Sequence, residues 1–108
     1  MIETPKEKNI FNNVRNYLIA SNQLALWAMK DRAMKLGYEA HIVTDSLNGE
    51  ARNVGKYIAE NINSKYKKEV ELYGGETTVT VTGNGKGGRN QELILGALEN
   101  IHNDSLII

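Results

Sequence analysis

A chain of 108 residues, 41% of them hydrophobic, is long enough for one domain and too short to be expected to hold a second. Thirteen basic residues balance thirteen acidic ones, so no global field draws the chain to nucleic acid or to an anionic membrane, and a charged partner must be recognised locally. The lack of cysteine excludes a disulfide framework, a thiolate nucleophile and a Cys-based zinc site, and it fits a reducing, cytoplasmic setting.

Residues 1–13 hold the only proline and few apolar side chains, and they read as a flexible lead-in or linker stub. The opening MIETPKEKN mixes charges of both signs and has no apolar core, unlike a signal peptide. No apolar run approaches the roughly 20 residues that cross a bilayer. A single α/β domain is expected over 14–108. Tyr17-Leu18-Ile19-Ala20 reads as a short first strand ending at Ser21, a good N-cap for a helix over Asn22 to Leu36 that Gly37 stops. Within that helix Ala25, Ala28, Met29, Ala33 and Leu36 recur at helical spacing, a narrow stripe suited to packing on a sheet.

A second unit repeats the plan. Glu39 to Thr44 reads as a buried strand, Asp45 to Gly49 as a loop, and Glu50 to Asn63 as a helix with Ala51, Val54, Ile58 and Ile62 inward. Lys65, Lys67 and Lys68 follow it as a solvated basic face. Glu69 to Tyr73 alternates with period two and Thr77 to Thr82 is β-branched throughout, which predicts two strands joined by a turn at Gly74-Gly75. After the loop Gly83 to Gly88, a helix over Asn90 to Ile101 presents Ile94, Ala97, Leu98 and Ile101, and Ser105 to Ile108 reads as a last strand. Strands alternating with amphipathic helices imply right-handed crossovers, hence a layered α/β/α sandwich on a mostly parallel, mixed sheet. Ligands of such sheets bind beyond the carboxyl ends of the strands.

The loop Gly83-Asn84-Gly85-Lys86-Gly87-Gly88-Arg89 falls at that end, between a strand and a helix. Exposed backbone N–H groups and the positive end of the helix dipole favour an anion there, and glycine lets a phosphate approach the chain closely. Lys86 adds a flexible point charge and Arg89 a planar fork for paired oxygens. The bland reading is a flexible turn with solvated cations. A Walker A ending is absent and the spacing is not that of the dinucleotide fingerprint, so phosphate binding through Gly83, Gly85, Gly87, Gly88 and Asn90 is argued from mechanism. Gly74, Gly75 and Glu76 form a second cluster, in which Glu76 either pairs with a loop cation or is a solvated turn residue. Asn90, Gln91 and Glu92 open the following helix, where capping and ligand contact are compatible. Asp45 and Glu50 offer carboxylates for Mg²⁺ or proton transfer, or Glu50 only complements its helix dipole; Asn22 is a ligand contact or a turn residue. His41 and His102 lack neighbours that would make a metal signature, so no metal site is assigned.

The run GGETTVTVTGNGKGGRNQE closely resembles the signature of the MOFRL domain of glycerate 2-kinases, some of which carry the older label hydroxypyruvate reductase. Ala20-Ser21-Asn22 and Asn48-Gly49-Glu50-Ala51-Arg52 are similar to that family's SN and GEAR elements, so the resemblance runs from about Val14 to Ile108. It implies ATP- and Mg²⁺-dependent phosphorylation of glycerate, in a cleft between an N-terminal Rossmann-like domain and this one. Arg89 matches the arginine of the family's GGRNQE motif, which is expected to stabilise the transferring phosphate. Relative to the family pattern the chain lacks the N-terminal domain with its catalytic lysine and ends before the Thr-Asp-Gly and Asp-Gly segment. One wall of a cleft is therefore expected, as a fragment or with a separately encoded N-terminal partner, and not a kinase competent alone. The alternatives are a stand-alone anion- or nucleotide-binding module, or an inactive fragment. Self-association across the exposed half-cleft is a further expectation.

Overall fold

A computed structural model describes residues 3–62 and 68–108; the predicted end of the second helix at Asn63 and the basic residues Lys65 and Lys67 lie outside this set. After a 3-10 turn at Lys8–Phe11, the chain runs without regular structure to Ser21. Ser21 caps helix α1 (Asn22–Lys35), its Oγ accepting from the Leu24 N–H at 3.2 Å, and Gly37, at φ +84°, turns the chain out of it. Strand β1 (Glu39–Leu47), helix α2 (Ala51–Asn61), strand β2 (Glu69–Gly75) and helix α3 (Arg89–Ala97) follow.

This is an α/β fold whose two strands pair in parallel, in register from Glu39 opposite Glu69 to Ile42 opposite Leu72, with irregularities on either side of Thr44. Helix α1 lies across both strands, while α2 packs on α3. The expected stripe of α1 is not its buried face. Met29 and Leu36 are exposed, and Leu26 is the helix's one buried residue. The cause is Gly74: a Cβ there would run into the Asn22 amide and the Leu26 Cδ1, so the missing side chain forms the niche that receives them. Gly74 and Gly75 thus end β2 and pack, instead of forming a turn between two strands.

Gly75 explains why the predicted strand over Thr77 to Thr82 shrinks to one parallel bridge between Glu50 and Thr78. With φ +147° it swings the chain against the backbone of Leu47. From there Glu76 N–H donates to the Leu47 carbonyl, Thr78 N–H to the Gly49 carbonyl, and Ala51 N–H to the Thr78 carbonyl, each at 2.8 Å. The partner strand then turns into α2 at Ala51, and the ladder has nothing left to pair with. Tyr17 to Ala20 and Ser105 to Ile108, also predicted as strands, find no ladder partner among the described residues. Pattern alone cannot make a strand; it needs a neighbouring edge.

The face of α2 agrees with its periodicity at Ala51 and Ile58, which are buried, and Gly55 and Ala59 join them. Against it lies α3, which ends at Ala97 and leaves the predicted inner residue Leu98 exposed. The two helices touch through their backbones. A Cβ at Gly55 would overlap the Leu93 carbonyl and one at Gly96 the Arg52 carbonyl. Arg52 closes the crossing, its Nε and Nη2 reaching Glu92 Oε1 at 2.7 and 2.6 Å.

The core is small. Four of its seven buried apolar residues (Leu26, Ala40, Ala51, Ile58, Ala59, Leu72 and Ala97) are alanines. The radius of gyration is 18.3 Å, against about 13 Å for a compact chain of this length. Leu18, Ile19, Val81 and Leu106 are each 80% exposed or more. No helix of the described residues is long and apolar enough to cross a membrane.

The crossing reverses the usual sign of a glycine substitution. Gly to Ala inside an open helix stabilises by about 0.5–1 kcal/mol, whereas Gly96→Ala or Gly55→Ala is expected to destabilise by about 1–3 kcal/mol through overpacking. Urea denaturation of each variant checks this, with Gly85→Ala in the open loop as the neutral control.

Candidate functional site

The site gathers at the carboxyl ends of β1 and β2, where parallel sheets present their ligands. Residues 81–90 are all exposed. The loop glycines differ from those of the fold: a Cβ on Gly83, Gly85 or Gly88 would meet nothing within 4 Å, and Gly87 would meet only the end of the Gln91 side chain at 3.0 Å. None of the four has positive φ. Packing and backbone geometry therefore give no reason for glycine at these positions, in contrast to Gly55, Gly74, Gly75 and Gly96.

Gly88 is the N-cap of α3 and has no side chain to cap it; the Glu92 N–H donates to the Gly88 carbonyl at 2.9 Å. The N–H groups of Arg89, Asn90 and Gln91 precede that first intrahelical bond and point out of the helix start. Arg89 is the first helical residue, so its guanidinium and these amides share one helix end. Its Nη1 lies 2.6 Å from Glu76 Oε1, so Glu76 pairs with a cation and is not a solvated turn residue. Both side chains are more than half exposed, so the pair contributes at most about 1 kcal/mol and Arg89 is readily exchanged to another anion. Lys86 lies in the open loop with no ion pair among the described residues.

The other expected residues divide between site and scaffold. Glu92 does not cap its helix but holds Arg52 across the crossing. Glu50, the N-cap position of α2, accepts from the Thr80 N–H at 3.0 Å and the Thr80 hydroxyl at 3.2 Å, tying α2 to the segment that leads into the loop. Asn22 donates to the Asp45 carbonyl at 2.6 Å while its amide covers Gly74, so it braces the ends of both strands. No hydrogen bond or ion pair joins the side chains of Asp45 and Glu50, and among the described residues no three metal-ligating side chains form a cluster. Thr80 and the helix glycines Gly55 and Gly96 escaped the sequence reading. A glycine inside a helical pattern, away from any turn signal, was the available sign of close backbone approach.

Tyr73, one residue before the niche, donates to Glu71 Oε2 at 2.6 Å. Burial first, and then the neighbouring Glu71 carboxylate, push its phenol above the ordinary value of 10.0. The neutral phenol is thus favoured by folding.

The chain is an α/β domain in which an open glycine loop, two cations and a helix start lie together. Residues 69–108 match the model of the MOFRL family. A glycerate 2-kinase of Pyrococcus horikoshii is 40% identical over 98% of this chain and 26% of that protein. A D-glycerate 2-kinase of Thermotoga maritima is 42% identical over 88% of this chain and 24% of that protein. The crystal structure of a glycerate kinase from Thermotoga maritima superposes on 94% of this chain and 28% of its own, with a TM-score of 0.71 and 36% identity. The chain carries a MOFRL domain of the glycerate kinase family. It spans about a quarter of the length of the curated relatives it matches.

Because the folded state raises the Tyr73 pKa, its contribution to stability is complete below the unfolded value near pH 10 and is lost as pH rises through the folded one. Tyr73→Phe is therefore expected to lose less stability between pH 8 and pH 11 than the parent chain, a difference that paired urea titrations measure.

Proposed function

We propose that this domain forms one wall of the phosphoryl-transfer cleft of an ATP-dependent glycerate kinase-like enzyme in the cytoplasm. The observation that carries the reading is the Gly83 to Gly88 loop, whose glycines serve no packing need and lie open beside Lys86 and the start of α3. Backbone amides of the loop and of the first turn of α3 would cradle phosphate oxygens. Arg89 exchanges Glu76 for phosphate as charge develops, and its planar fork suits two oxygens at once. Lys86 supplies the mobile second charge. When bound, ATP would supply the phosphoryl group and Mg²⁺ charge neutralisation, while Arg89, Lys86 and the loop amides hold the phosphates. Among the described residues the donor set beside the loop, Lys86, Arg89 and backbone amides, suits phosphate oxygens.

Glycerate as the acceptor follows from the names of the relatives. The remaining wall, an N-terminal domain in the same polypeptide or separately encoded, has support in the apolar surface left uncovered at Leu18, Ile19 and Val81 and in the greater length of those relatives. With one wall present, positioning of both substrates is incomplete and turnover by these residues alone is not expected.

Glycerate- and Mg²⁺-dependent ATP turnover, measured with this chain and the N-terminal domain of a relative together, tests the assignment. Arg89→Ala is expected to lower kcat by about 10²–10³-fold, the range for one preorganised charge-stabilising group. Activity that persists without Arg89 removes it from the site.

A further inference from the structure

Where β1 ends and α2 begins, an open-sided depression of about 620 Å³ is left unexplained by the phosphate loop. Its size falls among ordinary small-molecule sites of about 300–1,000 Å³. Thr44, Ser46, Asn48 and Glu50 line it from the strand and the turn, and Asn53 with Tyr57 from α2. Asn53 and Tyr57 stand four residues apart, hence on one helix face, and both are exposed, Tyr57 at 61%. Leu47 and Val54 supply the apolar floor.

Three properties select the ligand. The volume is far larger than a three-carbon acid fills. Glu50 is the one formally charged side chain among the described residues that line the depression, so it repels a carboxylate such as glycerate. An exposed aromatic ring beside two side-chain amides instead suits a neutral, flat heterocycle, which stacks on the ring and bonds at its edge. The Glu50 carboxylate is, in addition, an acceptor of the kind that ribose hydroxyls donate to. The position is also right. Glu50 is bonded to Thr80, and Thr80 precedes Gly83 by three residues, so the depression lies within about 10 Å of the glycine loop along the chain.

We infer that this depression holds the nucleoside of the phosphoryl donor, with the base on the Tyr57 ring, the ribose toward Glu50 and the phosphates directed to Gly83 to Gly88. The inference rests on the phosphoryl-transfer reading, and separate probes distinguish the failure of either. Amide chemical shifts of the chain are followed by NMR with adenosine, inorganic triphosphate, ADP and glycerate. Adenosine is expected to move the amides of 44–57, triphosphate those of 83–91, and ADP both. Tyr57→Ala, at an exposed position, should weaken adenosine and ADP about tenfold and leave triphosphate unchanged, while Tyr57→Phe keeps the parent affinity. If triphosphate binds the loop but adenosine leaves 44–57 unmoved, or Tyr57→Ala does not weaken ADP, the nucleoside site is overturned and the phosphate reading stands. Should adenosine bind at 44–57 with the loop indifferent to triphosphate, the nucleoside site holds and the phosphate reading falls. Glycerate displacing adenosine from 44–57 overturns the assignment in favour of an acid site.

Discussion

The close crossing of α2 and α3 decides where everything else in the site can be. Gly55 and Gly96 let each backbone reach the carbonyl of the other helix, so the separation of the helix axes is set by main chain and not by interlocking side chains. Arg52 and Glu92 then pin rotation about the contact. Because Glu92 belongs to the first turn of α3, the same ion pair that locks the crossing also aims the helix start, and with it Arg89 and the exposed amides. A spacing set by backbone atoms yields little to side-chain rearrangement. On the proposed reading that rigidity matters, because a charge-stabilising group works best when it does not have to reorganise.

A second pair of glycines does for the sheet what the first does for the helices. Gly74 opens a niche that takes Leu26 and the Asn22 amide, which settles how α1 lies on the strands. Gly75 redirects the chain along Leu47 and Gly49, so that Glu76 and Thr80 arrive beside Arg89 and Glu50 respectively. The glycines contrast within a single chain. Glycines of the scaffold are crowded against backbone or side chain, while those of the Gly83 to Gly88 loop have free space around them. Crowded glycines explain the fold; uncrowded ones call for an explanation outside it.

The small, alanine-rich core and the extended dimensions of the chain fit this division of labour. Short side chains bring elements close and fix geometry, but they bury little apolar area, so stabilisation by the hydrophobic effect is modest. Larger apolar residues lie instead on the outside, at Tyr17 to Ile19, Val81 and Leu106. A surface of that kind suits burial against a further partner surface.

Local signals were enough for α1, α2, β1 and the start of α3, because capping, glycine termination and periodicity act within a few residues. The Ser21 cap, the Gly37 stop and the inward Ala51 and Ile58 could all be read from the chain, as could the family itself from GGETTVTVTGNGKGGRNQE. What the sequence could not determine was any property that needs a partner distant along the chain. Thr77 to Thr82 has strand composition but lacks an edge to extend, since the strand beside it becomes a helix at Ala51. The buried face of α1 was set by an absent side chain at Gly74, about fifty residues away, and the pairing of Arg89 with Glu76 by the approach of the start of α3 to the end of β2. Sequence determined which residues carry charge and which turns are glycine; only the tertiary structure decided which glycines are filled, because steric crowding is a relation between segments and not a property of either one.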